Sequence, residues 1–571
     1  MRILAIFCFL SAIRAVKIAL FPSTGCFSHD VMMKEIGAQL DGPTTNITWI
    51  QTYLYEFGFG EIRLPDAWNR LALYGVDEKG EQLHEKTGKL VWRQNVPYDF
   101  QTPFQFDGIR SFIVMLQRHQ EYCTKMLHDP RYQQLRYENI TVAVLDHFLQ
   151  ECMGGLAHLL NASVVQFSNW PVADGYITSL NLPASPAAVP KTGTRLSSYS
   201  MTFLQRCQNL LFHIAIVFTR FVQMQTLDRM FARNGYPWIR VETNEAQRPI
   251  YAGRSELLFE TIRPINYRVK YFGSASMKSP HHYVSSIGHL NSASPTTSTV
   301  VRRNASSPED ECIPTNVARR RSWLFDKVRN REQIEARRTM LRQKYATIDW
   351  NRVDREPFVL VSFGSVAQVT KMHQELLAHL LDTFSSQPGL IIWQSDLSGQ
   401  QMRAKFNLTV PSNVMISGWV PIKELLAHEN INYIICHGGI NTVNELALFG
   451  VPVLGVPLQG DQISNLARIA DLGAAELMTV HELDGLGAKM HEMRRNIERY
   501  WSRSEQLARM LQTHRELHKD YQRFWLNWVA RNGKRIERRK FLRFEYLGDL
   551  ENRLWAAIGV AIVAGLVTLY Q

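Results

Sequence analysis

Apolar residues in this chain come in two rhythms. Short unbroken runs rich in Val, Ile and Leu sit at 16–20 (VKIAL), 47–51 (ITWIQ), 141–145 (TVAVL) and 164–167 (VVQF). A second set follows at 358–361 (FVLV), 390–393 (LIIW), 414–416 (VMI), 431–436 (INYIIC) and 451–457 (VPVLGVP). Continuous runs, as opposed to alternating ones, predict strands buried on both faces, as in parallel sheets. Elsewhere the spacing shifts to three and four, predicting helices over 30–40 and 372–384. A long helical tract after Gln462 carries Met490, Met493, Ile497, Tyr500 and Trp501 at helical spacing, and is expected to cross back onto the N-terminal half. Strands alternating with helices predict an α/β protein with doubly wound sheets.

Polar and small residues mark the joins. The stretch 182–190 (LPASPAAVP) reads as a loop or rigid segment. Residues 274–308 are rich in Ser, Thr and Asn, and 330–345 alternate in charge as an exposed helix does. These joins divide the chain into an N-terminal domain at 16–273, an extended linker or insertion at 274–356 and a C-terminal domain at 357–530. Met1-Arg2, the apolar residues 3–10 and the small residues before Val16 have the form of a signal peptide, 1–15. At the other end a basic segment, 531–553, precedes an uncharged apolar run at 554–570. As a helix that run spans ~25 Å against a hydrocarbon core of ~30 Å, the length of a marginal single-pass anchor.

At 571 residues, 45% hydrophobic and 11% aromatic, the chain is too long for one core and too apolar for disorder. Its net charge of +12 concentrates at 302–342 and 534–543, without the aromatic interleaving of a nucleic-acid module. Nucleic acid is therefore not among the expected partners. Seven cysteines without C-x-x-C spacing argue against zinc and thioredoxin-like redox chemistry, and leave any disulfide pairing open. Five N-x-[ST] sequons, at Asn46, Asn139, Asn161, Asn304 and Asn407, fit a lumenal chain.

The densest chemistry lies between Trp419 and Gln462. The strand at 431–436 ends in His437-Gly438-Gly439, where glycines permit a tight turn and close approach of a ligand. Asn441 and Thr442 open an amphipathic helix whose free N–H groups and positive end form an anion site. His437 and Thr442 add side-chain donors there. Glu445, four residues after Asn441, lies on the same face one turn deeper, as an acceptor for ribose hydroxyls. Asp461 and Gln462 place an acceptor and a mixed donor–acceptor at another strand's end. In the N-terminal half, the first strand delivers His29 to the start of a helix, and the run 141–145 delivers Asp146. Ligands of α/β sheets collect at such carboxyl ends. His147 competes with His29 from a different loop.

The run from Trp419 to Gln462, with Ser28-His29 and Asp146 upstream, resembles family 1 UDP-glycosyltransferases, the group containing the UDP-glucuronosyltransferases. The resemblance implies the GT-B fold, two Rossmann-like domains facing a cleft. It implies that Trp419 lies at the uracil, and that His437, Gly439, Asn441 and Thr442 take the phosphates, with the Ser365 loop facing them. Glu445 would take the ribose, and Asp461 and Gln462 the hydroxyls of the sugar. Ile422 stands where the family usually carries Gln. His29 would be the general base and Asp146 its orienting partner. No metal is implied, and the chain has no Asp-x-Asp pair. The co-substrate would be UDP-glucuronic acid or UDP-glucose, with no further cofactor and with inversion at the anomeric carbon.

Together these features lead to the expectation of an endoplasmic-reticulum membrane glycoprotein with lumenal catalytic domains. It would conjugate small lipophilic acceptors, as detoxifying enzymes do, with homo- or hetero-oligomers left open. The alternative is a catalytically silent relative that partners active transferases in the same membrane. A NAD-dependent oxidoreductase is disfavoured, because no G-x-G-x-x-G opens the first βα unit.

Overall fold

A computed structural model describes residues 16–23, 27–51, 62–72, 106–147, 151–284 except for single positions, and 331–537, with isolated positions at 89–92 and after 553. The signal peptide, Asn304 with most of the insertion, residues 538–553 and several positions of the 554–570 run lie outside the described residues.

Each long apolar run becomes a strand. In the N-terminal half these are β1 (Val16–Phe21), β2 (Thr45–Gln51), β4 (Val142–Asp146) and β5 (Ser163–Ser168), joined by the short β3 (Asn69–Ala72), β6 (Ile250–Gly253) and β7 (Val269–Tyr271). They pair in parallel in the order β3-β2-β1-β4-β5-β6-β7. The C-terminal half forms a second all-parallel sheet from β8 (Phe358–Ser362), β9 (Leu390–Gln394), β10 (Val414–Ser417), β11 (Ile431–Cys436), β12 (Val453–Gly455) and β13 (Ala475–Leu477), in the order β10-β9-β8-β11-β12-β13. Both sheets reverse direction of travel between their first and fourth strands. In doubly wound folds that reversal opens a crevice beyond the strand ends.

Helices that matter to the site are α1 (Phe27–Leu40), α2 (Phe203–Arg233), α3 (Ile440–Phe449), α4 (Gln462–Asp471), α5 (Ile497–Leu517) and α6 (Tyr521–Glu537). Met490, Met493, Ile497, Tyr500 and Trp501 are all buried in the C-terminal core, so the helices bearing them stay with their own sheet. The tract expected to cross back is broken near Asn496 and again after Leu517, and α6 makes the crossing. Leu526 and Val529 of α6 join Ile18, Leu20 and Val142 of the N-terminal sheet in one apolar cluster, which Ile440 of α3 also enters. A disulfide links Cys123 to Cys152, tying the helix Phe106–His128 to the helix Glu151–Leu159. The exposed helix expected at 330–345 appears as Arg331–Lys344.

Candidate active site

The two switch points meet. His29 stands in the first turn of α1, just beyond β1, and Asp146 is the last residue of neighbouring β4. His29 Nδ1 lies 2.9 Å from Asp146 Oδ2, and both residues are buried. Burial works against a charged imidazole. The adjoining Asp146 carboxylate, with Asp461 and Asp30 beyond it, outweighs that cost and holds His29 above its ordinary value. His147 Nδ1 is 3.9 Å from the other Asp146 oxygen, outside hydrogen-bonding reach, and burial pushes it down to about 4. Neutral and farther away, it is the weaker claimant on that carboxylate.

Across the cleft, β11 ends at Cys436 and the chain turns through His437, Gly438 and Gly439 into α3. Gly438 has φ +82°, and a Cβ there would stand 2.3 Å from Leu466 Cγ of α4, so the turn excludes any side chain. Gly364, after β8 at φ +77°, likewise lies against the His437 ring. This puts the Ser365 turn and His437 side by side at the second switch point. Burial lowers His437 to about 4, so at neutral pH it is an uncharged donor–acceptor.

Asn441, in the first turn of α3, donates from Nδ2 to the Ser28 carbonyl at 3.1 Å. That one bond sets the amino end of α3 beside the first turn of α1, and so beside His29. Thr442 follows, half-buried. Asp461 accepts from Asn169 Nδ2 across the cleft at 2.7 Å and from Asn465 Nδ2 at 3.0 Å; burial raises its carboxyl. His29, Asp146, Asn441 and Asp461, drawn from both halves of the chain, thus converge.

Other expected site residues have taken local partners. Gln462 Oε1 accepts the backbone N–H groups of Leu458 and Gln459, each at 2.9 Å, and so pins the loop before α4. Glu445 lies 3.4 Å from Lys423 Nζ; burial raises its carboxyl, and Lys423 opposes the rise. Trp419 is 43% exposed and meets the edge of Phe27 at 6.4 Å between ring centres. Sequence reasoning passed over Asn169, Asn444 and Lys423. Asn169 follows β5 at its carboxyl end, a signal that was there to be used. Asn444, fully buried, donates to the Arg254 carbonyl at 2.7 Å across the domains, which nothing in its local sequence announces.

Two doubly wound domains with facing switch points, bridged by polar side chains, define an α/β protein with a crevice between its sheets, the place where such folds hold ligands. Residues 350–536 match the sequence family described as "UDP-glucoronosyl and UDP-glucosyl transferase". Over that segment the chain is similar to family 1 UDP-glycosyltransferases. It is 34% identical over 140 residues to the ecdysteroid UDP-glucosyltransferase of Lacanobia oleracea granulosis virus, a match covering 24% of this chain and 29% of that protein. It is 38% identical over 112 residues to UDP-glucuronosyltransferase 3A1 of Homo sapiens, covering 20% of each. The chain therefore spans 29% and 20% of the length of these curated relatives. The crystal structure of Os79 from O. sativa in complex with UDP superposes with a TM-score of 0.49 at 16% identity, over 91% of this chain and 100% of that one.

Proposed function

We propose that this chain transfers glucuronic acid or glucose from a UDP-sugar to a hydroxyl of a small lipophilic acceptor, with His29 as general base. The observation that carries this reading is the buried His29–Asp146 pair set beside the amino end of α3. An ionised Asp146 holds the Nδ1 proton, leaving the Nε2 lone pair to take the acceptor's proton and stabilising the imidazolium that results. The deprotonated hydroxyl attacks the anomeric carbon in line as the bond to UDP breaks, inverting the centre. Negative charge developing on the diphosphate is met by the free N–H groups of α3 and by Thr442, with His437 and the Ser365 turn beside them. Asp461 and Gln462 hold sugar hydroxyls, Glu445 exchanges Lys423 for the ribose, and Trp419 stacks on the base.

The expected location is the lumenal side of the endoplasmic-reticulum membrane, anchored through the 554–570 run. The disulfide is consistent with an oxidising compartment. Three of the four non-glycine residues with positive φ among those described are the sequon asparagines Asn139, Asn161 and Asn407, each exposed. The first two sit just before β4 and β5, at the pole opposite the site, where a glycan would leave the cleft open.

The test is His29→Ala in the full chain. Transfer to a promiscuous phenol should fall at least ~100-fold, the usual scale of general-base catalysis, while UDP affinity stays put. Undiminished transfer by that variant would sink the mechanism. A parent protein that binds UDP yet neither transfers nor hydrolyses UDP-sugar would replace it with the silent-partner reading.

A further inference from the structure

Two imidazoles address Asp146, and the proposed reaction uses one of them. His29 Nδ1 meets one carboxylate oxygen at 2.9 Å, and His147 Nδ1 faces the other from 3.9 Å. The rings stand 6.4 Å apart between centres, with their planes 32° apart, so they flank the carboxylate side by side. His147 is fixed there by its neighbours. Its backbone N–H donates to the Phe167 carbonyl of β5 at 2.9 Å, and its ring meets Tyr176 edge to face at 6.2 Å between centres. The guanidinium of Arg220, from α2, lies 4.7 Å from the Tyr176 ring centre, and Glu245 at 2.7 Å and Glu151 at 3.2 Å anchor it. A side chain backed in this way holds one orientation, as recognition requires.

The fold does not account for the polar atoms of His147. Among the described residues, Nδ1 has no hydrogen-bond partner, and it is sealed from solvent. The side chain as a whole is 17% exposed, so its open part lies elsewhere on the ring, where Nε2 is the remaining polar atom. A residue that only filled space here would be better replaced by an apolar ring, because an unpaired buried nitrogen costs free energy. Burial keeps the imidazole neutral, and the Asp146 charge favours the tautomer with its hydrogen on Nδ1. Nε2 is then a bare acceptor beside His29. We propose that His147 reads the acceptor: as His29 takes the proton of the reacting hydroxyl, His147 Nε2 accepts a hydrogen bond from a second hydroxyl on the adjoining carbon. The site thereby selects vicinal diols, catechols among them, over acceptors with a lone hydroxyl. Two hydrogen bonds of ~2.8 Å, one to each of two adjacent oxygens, span rings at this spacing. The inference rests on the acceptor site proposed for His29 and adds what that site recognises.

The experiment titrates para-phenylphenol, its catechol analogue and the monomethyl ether of that catechol into the full chain saturated with UDP, by calorimetry. The catechol should bind at least ~10-fold more tightly than the phenol, since a site with a waiting hydrogen-bond partner rejects the analogue lacking the hydroxyl. The methyl ether, which has no hydrogen to donate, should bind no better than the phenol. In His147→Phe the catechol-to-phenol ratio should collapse toward ~1, and His147→Gln, which keeps a polar group there, should restore part of it. A parent that binds catechol and phenol alike, or a methyl ether that binds as tightly as the catechol, would overturn the proposal even if His147→Phe does not fold. A ratio preserved in folded His147→Phe would overturn it too, and leave His147 a packing residue against Tyr176. Binding is read apart from transfer, so a catechol preference without transfer counts for His147 and against the base role of His29.

Discussion

His29 is a residue on which opposing effects of similar kind act, and the balance sets its chemistry. Burial favours the neutral ring, and the carboxylates of Asp146, Asp461 and Asp30 favour the cation, so its value stands above the ordinary 6.5. In the proposed mechanism His29 is the general base and works when neutral, so transfer should fall as pH drops through that raised value. Asp146→Asn removes the largest raising influence and the tautomer control together. The acid limb of kcat should then move to lower pH, and its plateau should fall by roughly 100- to 10,000-fold. A pH–rate profile checks both, and an acid limb that stays in place would show that Asp146 does not set the proton affinity of His29. Each member of this pair was legible singly as a strand-end residue. Their contact joins positions 117 apart, and only the sheet that sets β1 beside β4 makes it. Lys423 and the loop-pinning of Gln462 were not legible, because a side chain's partner depends on what folding brings within a few ångströms.

At the scale of elements, the β11–turn–α3 unit is where sequence and structure agree most closely. The run at 431–436 is the strand Ile431–Cys436 to the residue, and the helix opens at Ile440. Local rules suffice there, since a buried apolar strand, two glycines and an amphipathic helix all point to one geometry. The glycine at 438 is required twice, by φ +82° and by the nearness of Leu466. Gly438→Ala should lower stability by at least ~1–2 kcal/mol, from the left-handed backbone alone, and shift the amino end of α3 enough to weaken UDP binding. Thermal denaturation with and without UDP tests this; an unshifted Tm would show that the turn relaxes freely. Strands β3, β6 and β7 were missed for the converse reason. Of three or four residues each, they carry too little apolar pattern to stand out and exist because a neighbouring strand offers its edge.

For the whole molecule, the site depends on how two halves are held together. Arg468 of α4 pairs with Glu260 at 2.8 Å and lies over the Trp170 ring at 5.1 Å, so a C-terminal cation is fixed by two N-terminal side chains. Glu260→Ala removes the carboxylate and leaves a largely buried guanidinium without it. The closed arrangement should loosen, raising the KM for UDP-sugar by about 10-fold, equivalent to ~1.4 kcal/mol, with little change in kcat. An unaltered KM would show that closure does not use this pair. The α6 crossing belongs to the same scale: periodicity revealed helices after Gln462, but which of them returned depended on breaks near Asn496 and after Leu517. By itself the sequence determined the parallel αβ alternation, the Gly-Gly turn that opens α3, and the strand-end placement of His29 and Asp146, because each is encoded over a few consecutive residues. Tertiary structure alone decided that these face one another and that Asn169 and Asn441 bridge the cleft. Those features depend on distances between residues far apart in the chain, and no local pattern carries such distances.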